Sequence, residues 1–195
     1  MSEFAPQLVL ASASPRRREL LERIGLRFVV RAAQVPERRL PDESPEQTVR
    51  RLAAEKSAQG LADAPQGIPV LGADTIVVVD DAILGKPADA EDGLAMLARL
   101  SGREHRVLSA VSIRAREHWQ SLSETHVWFR ELAPSEMAAY WRTGEPRDKA
   151  GCYAIQGLGG LFVRRIEGSY SGVVGLPIYE TAELLNKAGI RLLKE

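Results

Sequence analysis

The chain has 195 residues, a length that favours one domain spanning 1–195 around a single core. Apolar residues at 45% and charged residues at 27% exclude a disordered or fibrous chain, and 26 Lys and Arg against 26 Asp and Glu leave no global field to hold a nucleic acid polymer or an anionic membrane. The opening MSEFAPQ carries an acid and a proline in place of a basic stretch before an apolar run, so no secretory leader is expected and the cytoplasm is the expected compartment.

Residues 8–12 read as a short buried strand, and SASP then supplies a turn with Ser14 as N-cap and Pro15 as first helical residue. Leu20, Leu21 and Ile24 fall at helical spacing and Gly25 marks the stop. A strand over 28–31 leads into the charged, proline-bearing QVPERRLPDESP, an exposed functional loop by length and composition. Ser44 and Gln47 form a capping box around Pro45, predicting a helix over 45–59 with Val49, Leu52 and Ala53 inward. The nearly continuous apolar run 70–79 predicts a strand covered on both faces, far too short to cross a membrane.

Lys86 then lies in a loop, and Asp89 caps a helix that ends at Gly102. Strands follow over 105–114 and 121–132, joined by the polar REHWQ, with a helix over 134–142 behind them. The glycine-dense final third implies loops in which backbone approaches closely to something, crossed by a strand over 161–166. A helix over 180–187, with Leu184 and Leu185 inward, closes the chain. Strands interleaved with helices make an α/β protein with a mixed sheet.

Two anomalies carry the chemistry. Arg16, Arg17 and Arg18 occupy the first turn of a helix, where the macrodipole disfavours each cation by roughly 0.3–1 kcal/mol unless an anion binds there. Amides at a helix start after a strand and a small-residue loop already form a phosphate site, and guanidinium forks match phosphate oxygens. Arg16 and Arg17 are therefore read as phosphate ligands, and Arg18, offset by Glu22, as a surface residue. Asp74 is a carboxylate inside PVLGADTIVVV, where an unpaired charge is expensive. It reads as a metal ligand or a general base orienting water; the alternative is an Asp bonded to nearby backbone. Gly72 beside it leaves room for a substrate.

Glu37 in the charged loop could complete a cation site with Asp74. Among Lys56, Lys86 and Lys149, Lys86 is the best restrained, between Gly85 and Pro87, and Gln156 offers a donor and an acceptor that suit a base edge. His105 reads as a packing or surface residue and Cys152 as a packing residue, and Ser12 and Ser14 lack the partners of covalent serine catalysis. No Walker motif occurs, Cys152 is the lone cysteine, and His105, His118 and His126 are not at zinc-ligand spacing. The remaining route to a metal is a hard cation on carboxylate oxygens.

The segments LASASPRRRELL, RLAAEK, GADTIVV, ILGKP, GEPRDKAGCYAIQG and GSYSGVVGLP, in this order over nearly the whole chain, resemble the Maf family of nucleotide pyrophosphatases. The resemblance implies a fold like that of the inosine-triphosphate pyrophosphatases: an elongated mixed sheet flanked by helices, with a nucleotide cleft between two lobes. It implies Asp74 as proton acceptor, Ser12, Arg16 and Arg17 on the phosphate-binding loop, Glu37 as a metal-associated acid, Lys56 and Lys86 on phosphates, and Gln156 as the substrate-selecting amide. Arg16, Thr75 and Gln156 resemble the branch that acts on dTTP and UTP. Pro36 stands where that family often has a second acid, and Ala154 where glycine is common. The expected activity is hydrolysis of dTTP and UTP, or modified pyrimidine nucleotides, to the monophosphate and pyrophosphate, in a homodimer using Mg2+ or Mn2+ held by Glu37 and Asp74. The alternatives are a 7-methyl-GTP pyrophosphatase and a non-hydrolytic nucleotide sensor in cell division.

Overall fold

A computed structural model describes residues 5–193; Met1 to Phe4, part of the stretch read above as no leader, lie outside them. The described chain forms a seven-stranded mixed sheet flanked by helices. Its strands are β1 (Leu8–Leu10), β2 (Phe28–Val30), β3 (Val70–Val79), β4 (Ala82–Leu84), β5 (Glu104–Arg114), β6 (His118–Phe129) and β7 (Val163–Glu167). The helices are α1 (Pro15–Arg23), α2 (Pro45–Ala62), α3 (Ala90–Leu100), α4 (Pro134–Arg142), α5 (Tyr170–Val174) and α6 (Ile178–Lys187).

Local chemistry sets most of these bounds. Ser44 accepts the Gln47 amide while Gln47 returns a bond to the Ser44 amide, a reciprocal cap worth about 1 kcal/mol that starts α2 beside Pro45. Asp89 caps α3 through the Asp92 amide, and Gly25 and Gly102 follow the ends of α1 and α3 with φ of 72° and 68°.

The order β2-β1-β3-β5-β6-β7 places β3 at the centre, with β5 antiparallel along one edge from Val70 to Val78. The other edge of β3 is shared. Parallel β1 pairs only with Val70 and Leu71, and antiparallel β4 only with Val77 to Val79. Residues 72–76 therefore have no strand partner on that side. Because β1 and β4 run in opposite directions, the chain leaves both of them at the borders of this gap, as the loop after Leu10 and the loop after Leu84.

The core divides at the same place. On one face of β3, Ala73 joins Leu8, Leu10, Leu21 and Leu176, whereas Val77 joins Leu97, Phe129 and Phe162. Thr75 lies between them. On the opposite face, under α2, Val70 packs with Val9 and Ala11, and Ile76 and Val78 with Val49 and Ala53. Asp74 lies between these two clusters. Each face of the strand is thus apolar except where it borders the gap.

Gly72 departs from its reading as room for a substrate. A Cβ there would meet the Ala53 carbonyl oxygen and the Ser57 amide nitrogen, both at 2.4 Å, so this glycine lets α2 lie against the strand. Residues 118–120, read as turn, continue β6 as partners of Ser112 to Arg114, and β4 and α5 are additional elements. Because the obstructing atoms at Gly72 are backbone, Gly72→Ala should lower stability by about 1–3 kcal/mol. Gly85→Ala, with nothing within 4 Å of its Cβ, should change it by less than about 0.5 kcal/mol. Urea unfolding midpoints of the two variants against the parent check both.

Candidate active site

A cleft of about 300 Å³ opens over the gap in β3. The loop after β1 lines it with Ser12 and Ser14, and the first turn of α1 with Arg16 and Arg17; the loop after β4 with Lys86; α2 with Lys56; and the 3-10 turns after α4 with Asp148 and Lys149. Asp74 and Thr75 reach it from opposite faces of the strand.

At its floor Lys56 donates from Nζ to Oδ1 of Asp74 at 2.6 Å and to Oε1 of Glu37 at 2.5 Å. The Lys56 and Asp74 side chains are each 7% exposed, so each charge is tolerable only because the other is there. Glu37, at 47% exposure, comes from the loop between β2 and α2, and Lys86 lies 3.5 Å from its second oxygen. Burial pushes the Asp74 carboxyl above its ordinary range, and Lys56 and Arg17 offset only part of that cost. Glu37 goes the other way: burial raises it, but the hydrogen bond and charge of Lys56, with Lys86 and Arg17 beyond, bring it below the usual carboxylate range. One ammonium thus joins two carboxylates of unlike basicity, and Asp74 is the better proton acceptor.

Among the arginines, Arg17 is buried and bonded to three neighbours. Its Nε donates to the Gly175 carbonyl at 2.9 Å, Nη1 to Ser12 Oγ at 3.1 Å and Nη2 to Thr75 Oγ1 at 3.4 Å. Thr75 Oγ1 also meets Ser109 Oγ at 2.8 Å and the Gly175 carbonyl at 3.2 Å. Arg17 therefore braces α1 against β3 and the chain after α5. Arg16 makes no hydrogen bond or ion pair among the described residues; burial pulls its pKa down, opposed first by Asp148 across the cleft. Arg17 gives three of its five N–H groups to these partners and keeps two, whereas the whole Arg16 guanidinium is available to an anion.

Of the residues singled out from the sequence, Ser12, Arg16, Arg17, Glu37, Lys56, Asp74, Thr75 and Lys86 are brought together. Gln156 is not among the lining residues; it is exposed, in the turn three residues beyond Tyr153, which does line the cleft. Lys56 also differs from a simple phosphate ligand, since both carboxylates already hold its ammonium. Arg18 pairs with Glu22 at 3.6 Å on the surface, as expected. Lys149, named above beside Lys56 and Lys86, borders the cleft and pairs with Asp148. Its signal was its place in the glycine-dense segment. Counting the lining groups, five cations (Arg16, Arg17, Lys56, Lys86, Lys149) face three acids (Glu37, Asp74, Asp148), a local surplus of positive charge on a chain that is neutral overall.

The remaining wall is apolar, with Val77, Val107, Tyr153, Val173 and Val174. His105 packs behind it, its Nε2 2.9 Å from the Tyr153 hydroxyl, and burial lowers its pKa to about 3, which keeps it neutral. Cys152 is buried, its thiol pushed up to about 12 by burial, consistent with packing. The arrangement can bind a polyanion beside a flat apolar group and present a basic carboxylate to it.

The model of the family described as Maf-like protein matches residues 7–188. A dTTP/UTP pyrophosphatase of Methylococcus capsulatus is 56% identical over 185 residues, covering 94% of this chain and 92% of the relative. Relatives of the same name from Saccharophagus degradans and Vibrio cholerae are each 52% identical, covering 92% and 93% of this chain and 87% and 97% of theirs.

The network fixes the sign of two shifts. Lys56 is the strongest charge lowering the Asp74 pKa and Glu37 a charge raising it. Carboxyl titration of Asp74, followed by 13C NMR without added metal, should therefore move to higher pH in Lys56→Met and to lower pH in Glu37→Gln.

Proposed function

Since the chain belongs to the Maf family, we propose that it is a nucleoside triphosphate pyrophosphatase that converts dTTP and UTP to the monophosphate and pyrophosphate. The names of relatives at 52–56% identity support this, over nearly the full length of both partners. The observation that carries the chemistry is Asp74: a carboxylate of raised basicity, 5% exposed, at the floor of a positively charged cleft.

The triphosphate tail lies along the loop after β1, with Arg16 and Lys86 as its principal ligands and Lys149 on the facing wall. Asp74 holds a water against the α-phosphorus and takes its proton as the new P–O bond forms. The bond between the α-phosphorus and the bridging oxygen breaks, and pyrophosphate leaves into the cationic end of the cleft. Lys56 keeps Asp74 ionised and in place, and the fixed cations stabilise charge that accumulates on the leaving group, which is where electrostatic catalysis contributes most.

A divalent cation fits this donor set. Glu37 and Asp74 converge on one ammonium through Oε1 and Oδ1, and Asp74 Oδ2 makes no hydrogen bond among the described residues. No group of three His, Cys, Asp or Glu stands ready among those residues, so such an ion would take its other ligands from phosphate and water, a habit of Mg2+ that Mn2+ can share. When bound, the cation supplies charge neutralisation along the polyphosphate.

Base selection is assigned to the apolar wall and to the turn carrying Gln156. One domain, expected from length, cytoplasmic residence, expected from the opening residues, and a homodimer, implied by the resemblance, belong to the same proposal; no described helix is long and apolar enough to cross a membrane.

With Mg2+, pyrophosphate and monophosphate should appear from dTTP and UTP in preference to CTP and 7-methyl-GTP; saturable binding without product would contradict hydrolysis. Asp74→Asn should lower kcat by roughly 10²–10⁴-fold, the range for loss of a general base, with nucleotide affinity retained in a binding titration.

A further inference from the structure

Glu145 opens the 3-10 turn Glu145–Asp148 after α4 and is not among the residues lining the cleft, yet its carboxylate is bonded into the turn that follows Tyr153. Oε2 accepts the Leu158 amide at 2.9 Å, and Oε1 accepts the Gly159 amide at 3.0 Å and the Tyr140 hydroxyl at 2.7 Å. The same Tyr140 oxygen accepts the Ala154 amide at 3.1 Å. The Tyr140 ring is itself locked in the core, edge-on to Phe162 with centroids 4.9 Å apart. At Gly157 the chain crosses so close that a Cβ would stand 2.3 Å from Oε2 of Glu145. Burial acts to raise the Glu145 pKa, but the Gly159 amide, the Tyr140 hydroxyl and the Leu158 amide outweigh it and hold the group below its ordinary value.

Both ends of a short segment are therefore fixed: Ala154 by the tyrosine, Leu158 and Gly159 by the carboxylate. Gln156 stands midway, exposed, just past the cleft wall at Tyr153. Of the three amides, that of Leu158 is exposed and water would satisfy it, whereas Ala154 and Gly159 are buried and theirs need partners within the protein. A carboxylate thirteen and fourteen residues away in sequence, taking two of them while also engaging a core hydroxyl, fixes the conformation of the segment before any ligand arrives. Such preorganisation lowers the entropic cost of meeting a ligand with a long amide side chain.

We propose that Glu145, acting through Tyr140 and the amides of Leu158 and Gly159, is a positioning residue that sets the turn 154–159 as the base-selecting wall. The inference rests on the hydrolase reading and on Gln156 meeting the base. It separates two tasks in one cleft: phosphate chemistry on the loops after β1 and β4, and base recognition on a turn anchored by α4.

Steady-state kinetics of the full chain on UTP and on its base-free counterpart, ribose 5-triphosphate, test it. Glu145→Gln should raise KM for UTP by roughly 10- to 100-fold, the equivalent of one lost bond to a charged group, with kcat little changed. On ribose 5-triphosphate its KM and kcat should stay within about twofold of the parent, because no base is there to be read. Tyr140→Phe, which keeps the core ring and removes only the hydroxyl, should give the same pattern in weaker form, and Gln156→Ala the same pattern at full size. Equal losses on both substrates in Glu145→Gln would reduce Glu145 to a structural role and overturn the proposal. An unaltered KM for UTP in Glu145→Gln, alongside a raised one in Gln156→Ala, would overturn it while leaving Gln156 as the reader. Parent-like kinetics in Gln156→Ala would remove the base reader and the proposal with it. A parent chain that turns over neither compound would sink the hydrolase reading itself.

Discussion

The contact on which the site depends is a single ammonium, Lys56, bonded to Asp74 and Glu37 at 2.6 and 2.5 Å. Two of these three groups are nearly sealed from water, where an isolated charge would cost several kcal/mol, so none can be removed without consequence for the others. The triad also divides labour. Asp74, enclosed by α2 and the sheet, is pushed toward basicity by burial; Glu37, on an open loop, is held ionised by its cations. A charge network with one basic member and one firmly anionic member can serve both proton transfer and cation binding, which an equally shared pair could not.

That triad can face a substrate because the sheet is incomplete beside it. A strand is usually a poor place for a catalytic acid, since neighbouring strands and covering helices seal it. Here β1 and β4 share one edge of β3 and leave residues 72–76 without a strand partner on that edge. The two strands meet the gap with opposite polarity, so the chain leaving β1 delivers Ser12 and the first turn of α1 from one side, and the loop leaving β4 delivers Lys86 from the other. Alternation along β3 then presents Asp74 from the face under α2 and Thr75 from the opposite face. The global charge is zero, yet the groups gathered at this opening leave positive charge in excess. A polyanion is attracted by what the topology gathers, not by the chain as a whole.

Much of this was legible in the sequence, for identifiable reasons. β3 and α4 have the bounds that their sequence predicts, because a nearly continuous apolar run rich in β-branched residues and a proline-led helix are strong local signals. Asp74 and Arg16 stood out because each breaks a local rule, a charge inside an apolar strand and a cation at the positive end of a helix. The unread parts depend on contacts distant in sequence. β4 is three residues long and is a strand only by pairing with Val77 to Val79. Residues 118–120 look polar enough for a turn, but Trp119 packs against the core cluster beneath β1 and holds them in β6. α5 contains Gly172 and forms under a cap from Ser169. Gly72 resembles a substrate gap from sequence and is a helix contact in three dimensions. Arg17 stands out as a phosphate-type donor, and three of its five N–H groups go to Gly175, Ser12 and Thr75, partners that no spacing rule reveals.

The most direct test of the central claim is a crystal structure of the chain with Mg2+ and a UTP analogue whose α,β-bridging oxygen is replaced by methylene. The account predicts the α-phosphorus above Asp74, with a water within about 3.2 Å of its carboxylate and the β- and γ-phosphates toward Arg16 and Lys86. A triphosphate seated outside the opening in β3, or one that turns its base and not its phosphorus toward Asp74, would contradict it.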